Sequence, residues 1–184
     1  MTSMTAQIKT PVLKSMLLCA ATKDVRDYLK GIHAHTTGRT LRLESSDGHT
    51  LTTSTSVDAH SAEFDVIIPR EAIETAIKAY PKSDEFTLCR EDENWSLAGI
   101  GFSPIEGKYP DCKRVWPDKT DGKPCLINPE YFGRVGKMAK FQKLYNASIR
   151  LWWAETMVVF EIGEVRGVIM ALRTDAFPST RVDF

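Results

Sequence analysis

The sequence has no excess charge of either sign: 24 basic and 24 acidic side chains leave a formal net charge of zero over 184 residues. That argues against a protein whose whole surface binds nucleic acid, although charge gathered on one face is not excluded. No apolar stretch approaches the about 20 residues that a membrane helix needs, so no membrane partner is expected. The four cysteines, Cys19, Cys89, Cys112 and Cys125, form no CxxC pair, and no signal-like stretch opens the chain. Both facts read as reduced thiols in a cytoplasmic protein. Gly-rich phosphate loops, HExxH and nucleophile elbows are missing, and the four histidines lack metal-ligand spacing, so no cofactor and no metal are expected. Asp92 with Glu93, and Asp47-Gly48-His49, read as polar turns rather than acid–base sites. The chain does not read as an enzyme.

What is present is an ordinary globular composition, 42% apolar and 26% charged, in a chain long enough to bury about 70% of its unfolded surface. It carries an internal repeat. QIKTPVLKSMLLCAA, DVIIPREAIETAIKAY and CLINPEYFGRVGKMAKF each run from a short extended stretch through a proline into an amphipathic helix, and Pro11, Pro69 and Pro129 are 58 and 60 residues apart. Proline suits a first helical turn, where its missing N–H has no partner to lose, and Thr10 and Asn128 are expected to cap two of the helices.

Alternating or β-rich stretches follow each helix. They are 31–35, 40–44 and 51–57; then 85–89, 95–100 and a stretch near Phe102; then 148–153, 157–162 and 166–172, all separated by turn residues. The reading is an α+β fold of three β-α-β-β-β units, with helices on one face of a joined antiparallel sheet. Expected buried stripes are Leu13, Met16, Leu17 and Ala20; Ala72, Ile73, Ala76, Ile77 and Tyr80; and Phe132, Val135, Met138 and Ala139. The exposed side of the third helix is basic, with Arg134, Lys137, Lys140 and Lys143 against Glu130. A charge run alone reads as a solvated face.

DVRDYLKG (24–31), SSDGHTL (45–51), VIIPRE (66–71) and EGKYPDCKRVWP (106–117), in that order, resemble the middle domain of the bacterial DNA polymerase III beta subunit, the sliding clamp family. LINPEYF (126–132), IRLWW (149–153) and GVIMALR (167–173) resemble the second half of that family's last domain. The resemblance implies a complete clamp domain of two units over 1–117, half a clamp domain over 118–174, and a tail over 175–184 ending TRVDF. It leaves the family's amino-terminal domain and the front half of its last domain without a counterpart.

Clamps of this family are rings of twelve such units whose helices line a basic hole around duplex DNA. By resemblance, Lys23, Arg26, Tyr28 and Arg70 match DNA-contacting or pore-facing positions, and Arg134, Lys137 and Lys140 join them by helix position. Long basic side chains give sequence-independent attraction to phosphates, which sliding requires. The resemblance also implies a groove for short peptides of DNA polymerases and clamp loaders. One wall would be Leu29, Ser46, Gly48, His49, Thr50, Leu51, Pro110, Arg114 and Val115. The other would be Asn128, Tyr131, Ile149, Leu151, Val168, Met170, Ala171, Leu172 and Arg173. Asp27, Glu71, Thr50 and Ala171 depart from the family pattern.

The function expected is therefore a clamp-like processivity factor for DNA replication, a homo-oligomer in which four chains of three units would close a homotetrameric ring. Its truncated layout suits a phage or other mobile element. The competing reading is a decoy that binds clamp-motif peptides without encircling DNA.

Overall fold

The computed structural model describes residues 3–57, 59–144 and 148–173; the tail over 175–184 lies outside them. Two units come first. β1 (Ser3–Lys9), α1 (Thr10–Leu17), β2 (Gly31–Thr37), β3 (Thr40–Ser46) and β4 (Thr50–Val57) are followed by β5 (Asp65–Pro69), α2 (Arg70–Ala79), β6 (Glu85–Glu91), β7 (Asn94–Leu97) and β8 (Ile100–Phe102). The third unit is α3 (Pro129–Phe141), β9 (Arg150–Ala154), β10 (Met157–Ile162) and β11 (Val165–Met170). No described helix is long and apolar enough to cross a membrane.

All three prolines sit at helix starts, but the caps differ from expectation. Asn128 accepts the Glu130 N–H at 2.9 Å, as a cap should. Thr10 does not cap: the chain enters α1 directly from β1, Lys9 holds the cap position, and Asp84 takes the Thr10 N–H at 2.8 Å.

The first two units exchange their leading strands. β1 pairs with β6 of the second unit, and β5 pairs with β2 of the first. The result is a four-stranded sheet, β1-β6-β7-β8, and a seven-stranded sheet, β5-β2-β3-β4-β11-β10-β9. Every pairing is antiparallel. The third unit joins the first where β11 lies along β4, with Val168 opposite Leu51 and Ile169 opposite Thr50.

Three local expectations are corrected. The stretch 95–100 is two strands, because Ala98 and Gly99 both take positive φ (53° and 78°) and turn the chain back, as a two-residue hairpin demands. The stretch 125–127, expected as the third unit's leading strand, pairs with no described strand; its one backbone bond is the Leu126 carbonyl accepting from Leu172. Tyr80 and Phe132, expected in the core, are 50% and 37% exposed. Tyr80 lies just beyond α2, and Phe132 stays partly open while Val135 and Met138 of the same helix are buried.

α1 is buried on nearly every side, against α2, α3 and strands β1 to β4 and β11. The single stripe of Leu13, Met16, Leu17 and Ala20 expected from its period is therefore too narrow, since Thr10, Val12 and Ser15 are buried as well. Ser45 anchors the helix by donating to the Met16 carbonyl at 2.8 Å.

Gly167 makes the β4–β11 joint possible. A Cβ there would stand 2.5 Å from the Leu51 carbonyl oxygen and against the Phe160 ring. Backbone cannot give way as a flexible side chain can, so Gly167→Ala is expected to lower the unfolding free energy by about 1–3 kcal/mol, read from urea midpoints at unchanged m-value.

Candidate functional site

The site grows from the β3–β4 turn. Gly48 adopts φ 87°, which frees Asp47 to organise the loop: one carboxylate oxygen accepts the N–H groups of His49 and Thr50 and the Thr50 hydroxyl at 2.9, 2.7 and 2.9 Å. The other oxygen accepts from Arg134 of α3 at 2.6 Å. Arg134 also donates to the Thr50 hydroxyl at 3.1 Å and lies over the Tyr131 ring, 4.6 Å from its centroid. His49 stacks on Tyr131 at 5.7 Å. The turn of the first unit is thus held by the helix of the third, and Met170 extends the strand joint by donating to the His49 carbonyl at 2.9 Å.

Burial raises the Asp47 pKa, but the Arg134 hydrogen bond and the N–H groups of Thr50 and His49 outweigh it, leaving the carboxyl below its ordinary value. Burial likewise works against the Arg134 charge, and Asp47 more than restores it.

Beneath the turn, on the sheet face away from the helices, lies a second apolar cluster. Leu29, Leu51 and Val168 are buried in it, with Val115 and Met170 half-buried beside them. Residues from both expected walls therefore meet. Ser46 donates to the Thr50 carbonyl and accepts the Gly48 N–H. Pro110 and Arg114 are exposed, and Arg114 pairs with Asp111 at 3.4 Å. The Ala171 N–H goes to the Thr156 carbonyl and the Leu172 N–H to the Leu126 carbonyl, while Arg173 is exposed. Ile149 and Leu151 are not brought to this cluster. They pack against the larger core on the helix side, because Leu151 lies opposite Phe160 and the pleat alternates. The sequence reading missed an adjoining cleft of about 390 Å³ lined by Trp116, Trp152, Val159 and Arg166, where Arg166 lies 5.0 Å over the Trp116 ring.

Of the residues expected to meet DNA, Lys23, Arg70 and Arg134 line one cleft of about 360 Å³ beside the end of α1. Two of them are already engaged. Arg70 donates to the carbonyls of Leu17 and Ala20 at 2.6 Å each and to Glu74 at 3.0 Å, which makes it the cap of the α1 C-terminus. Arg134 holds Asp47. Both therefore already have partners within the chain. Arg26 is exposed but bound to Asp24 by two bonds of 2.9 Å, Tyr28 meets Tyr109 edge-on at 6.4 Å, and Lys137 and Lys140 are exposed on α3.

One grouping contradicts the reading of scattered histidines. His33, His35 and Glu44 place their ligand atoms within 4.8 Å of one another, a set that could hold a cation. A proton already explains it, since His33 bonds Glu44 at 3.2 Å and Asp65 at 3.0 Å through its two ring nitrogens. Burial opposes both charges, yet the hydrogen bonds prevail: the His33 pKa is raised, and Glu44, bonded by His33 and His35, is lowered to about 2.

Residues 5–111 match the family described as DNA polymerase III beta subunit, central domain. The beta sliding clamp of Salmonella typhimurium is 28% identical over 158 residues, 80% of this chain and 42% of that protein. That of Escherichia coli K12 is 31% identical over 111 residues, 55% of this chain and 29% of that protein. Among solved structures, a DNA polymerase sliding clamp from Pseudomonas aeruginosa with ligand superposes with TM-score 0.73 at 17% identity. A Helicobacter pylori beta clamp bound to a DNA ligase peptide superposes with TM-score 0.71 at 10% identity. Each superposition covers 92% of this chain and 66% of the other, and at such identity it establishes the fold. The chain spans less than half the length of these curated relatives.

The Asp47–Arg134 pair should be visible in acid. A carboxyl with a lowered native pKa contributes stability that is complete above its unfolded pKa of about 4 and is lost as pH falls through the native value. Arg134→Met leaves Asp47 with its turn bonds but no cation. It is expected to cost about 1–3 kcal/mol at neutral pH and to reduce the acid loss, measured by urea unfolding from pH 7 to pH 3.

Proposed function

The chain belongs to the DNA polymerase III beta subunit family, and on that premise we propose that it is a sliding-clamp-like processivity factor. It captures clamp-motif peptides of polymerases and other replication proteins and assembles into a ring around duplex DNA. The observation that carries the reading is the meeting of Leu29, Leu51 and Val115 with Val168 and Met170 in one cluster. Apolar side chains of a peptide would enter against that cluster, and the polar groups of His49, Asn128 and Arg173 around it would fix the peptide backbone.

DNA contact is assigned to Lys23, Arg26, Lys137 and Lys140, all exposed, with Asp24 paired to Arg26. Sliding needs such phosphate attraction without base readout, and no reaction of the chain's own is invoked. The proposed units are 1–117 as a complete clamp domain and 118–174 as half of one, acting in the cytoplasm. Four chains would supply twelve units.

A second reading is favoured by the engagement of Arg70 and Arg134 with internal partners, which thins the basic face. It is a peptide-binding decoy that never encloses DNA.

Two measurements check these readings. Met170→Ala with Leu172→Ala is expected to weaken binding of a clamp-motif peptide at least tenfold in calorimetry with unchanged circular dichroism, and unaltered affinity overturns the groove. A ring is expected to stay on circular duplex and run off linear duplex of the same length. Equal retention on both topologies leaves only the decoy.

A further inference from the structure

The first two units show how one unit completes another. Each pre-helix strand has two edges. One edge meets the segment that follows its own unit's last strand: Gln7 donates to the Ala59 carbonyl, and the Ile67 carbonyl accepts from Ile105. The other edge takes the first post-helix strand of the other unit, with Ile8 opposite Phe86 and Ile68 opposite Ile32.

The third unit has made the first of these contacts and lacks the second. Leu126 occupies the place of Gln7 and Ile67, three residues before the helix, and its carbonyl accepts from Leu172 beyond β11 at 2.7 Å. The opposite edge of 125–127 meets no described strand, and the outer edge of β9 meets only the Gly122 N–H, which goes to the Trp153 carbonyl at 3.1 Å and leaves 148–151 open. Of the eight large apolar side chains exposed among the described residues, five belong to the same unit: Leu126, Phe132, Phe141, Leu144 and Trp152, 37–48% exposed. Phe132 stands fourth in its helix, where Leu13 and Ile73 are wholly buried.

We propose that two copies of this chain pair through their third units about a dyad, so that each 125–127 segment adds to the other copy's β9 and the two half domains become one clamp domain. The hairpin turns set the register. Glu85 and Gly31 lie six residues before the ends of their strands and face the residue preceding the helix. Ser148 is the corresponding residue before Ala154, so Asn128 faces Ser148 of the second copy, Ile127 faces Ile149 and Cys125 faces Leu151. Each apolar pair then falls where Ile8 meets Phe86 and where Ala6 meets Leu88. Phe132, whose counterparts Leu13 and Ile73 are wholly buried, is then covered by the second copy. An isologous contact of this kind closes on itself and cannot run on into a filament. β8, the last strand of the second unit, would remain as the edge through which two such dimers could close a ring.

Light scattering after size exclusion tests the pairing. The wild-type chain is expected at a mass of two or four chains, and Phe132→Asp, which alters an exposed side chain, is expected to halve that mass with unchanged circular dichroism. Register is read from Leu151→Cys. Residues directly opposite in an antiparallel pair stand about 5 Å apart at Cα, within the reach of a disulfide, so a mild oxidant should yield a covalent dimer that disappears when Cys125→Ser is added. A wild-type monomer whose mass is independent of concentration, or a Phe132→Asp protein of wild-type mass, overturns the proposal. The peptide groove lies on the other sheet face and is assayed separately, so its affinity should survive Phe132→Asp. A dimer that is retained equally on linear and circular DNA would refute the ring while leaving the pairing in place.

Discussion

The molecule depends on a joint between segments distant in sequence, the antiparallel ladder of β4 and β11. It welds the first unit to the third, and the Asp47–Arg134 bond across 87 residues of chain locks its upper end. Strand pairing fixes translation along the joint and the ion pair fixes the pose of α3 above it. A pair of this kind is weak evidence of net stability, since desolvation opposes the Coulombic gain. Its value here is geometric, because Thr50, Tyr131 and His49 all take their positions from the same two side chains.

Charge is used internally more than the neutral total suggests. Arg70 closes the carbonyl end of α1, Arg134 neutralises a half-buried carboxylate, and His33 stands between Glu44 and Asp65. By resemblance and helix position, Arg70 and Arg134 read as DNA-facing in the sequence. Each meets a buried or half-buried acceptor in the fold, and an unpaired acceptor in low dielectric costs more than a solvated one.

Local chemistry was the legible part. The prolines mark the helices, Asp47-Gly48 and Gly163-Glu164 mark turns, and most strands lie where β-rich alternation places them. Partnership was not legible. Nothing in QIKTPV says that β1 pairs with β6 of the next unit rather than with β2, and no local signal predicts that Arg134 will find Asp47. Ala98 obscured the β7–β8 hairpin, since alanine at positive φ is uncommon, although Gly99 beside it was the available clue. Phe132 was assigned to a core from helical period alone. Period identifies the apolar face of a helix but not whether its cover comes from the same chain.

The seven-stranded sheet separates the two proposed activities by the parity of its pleat. Along β4, the Thr52 hydroxyl meets Ser45, which reaches α1 on the helix side, while its neighbour Leu51 enters the outer cluster. Along β11, Ile169 joins the helix-side core and Val168 the outer cluster. A slip of one residue at this joint would send every side chain to the wrong face, placing Val168 under the helices and Ile169 in the outer cluster. Gly167 guards against that slip. Only a residue without Cβ can lie against Phe160 and the Leu51 carbonyl, so the correct register is the one that places the glycine there. The register that packs the core is thereby the one that assembles the outer cluster.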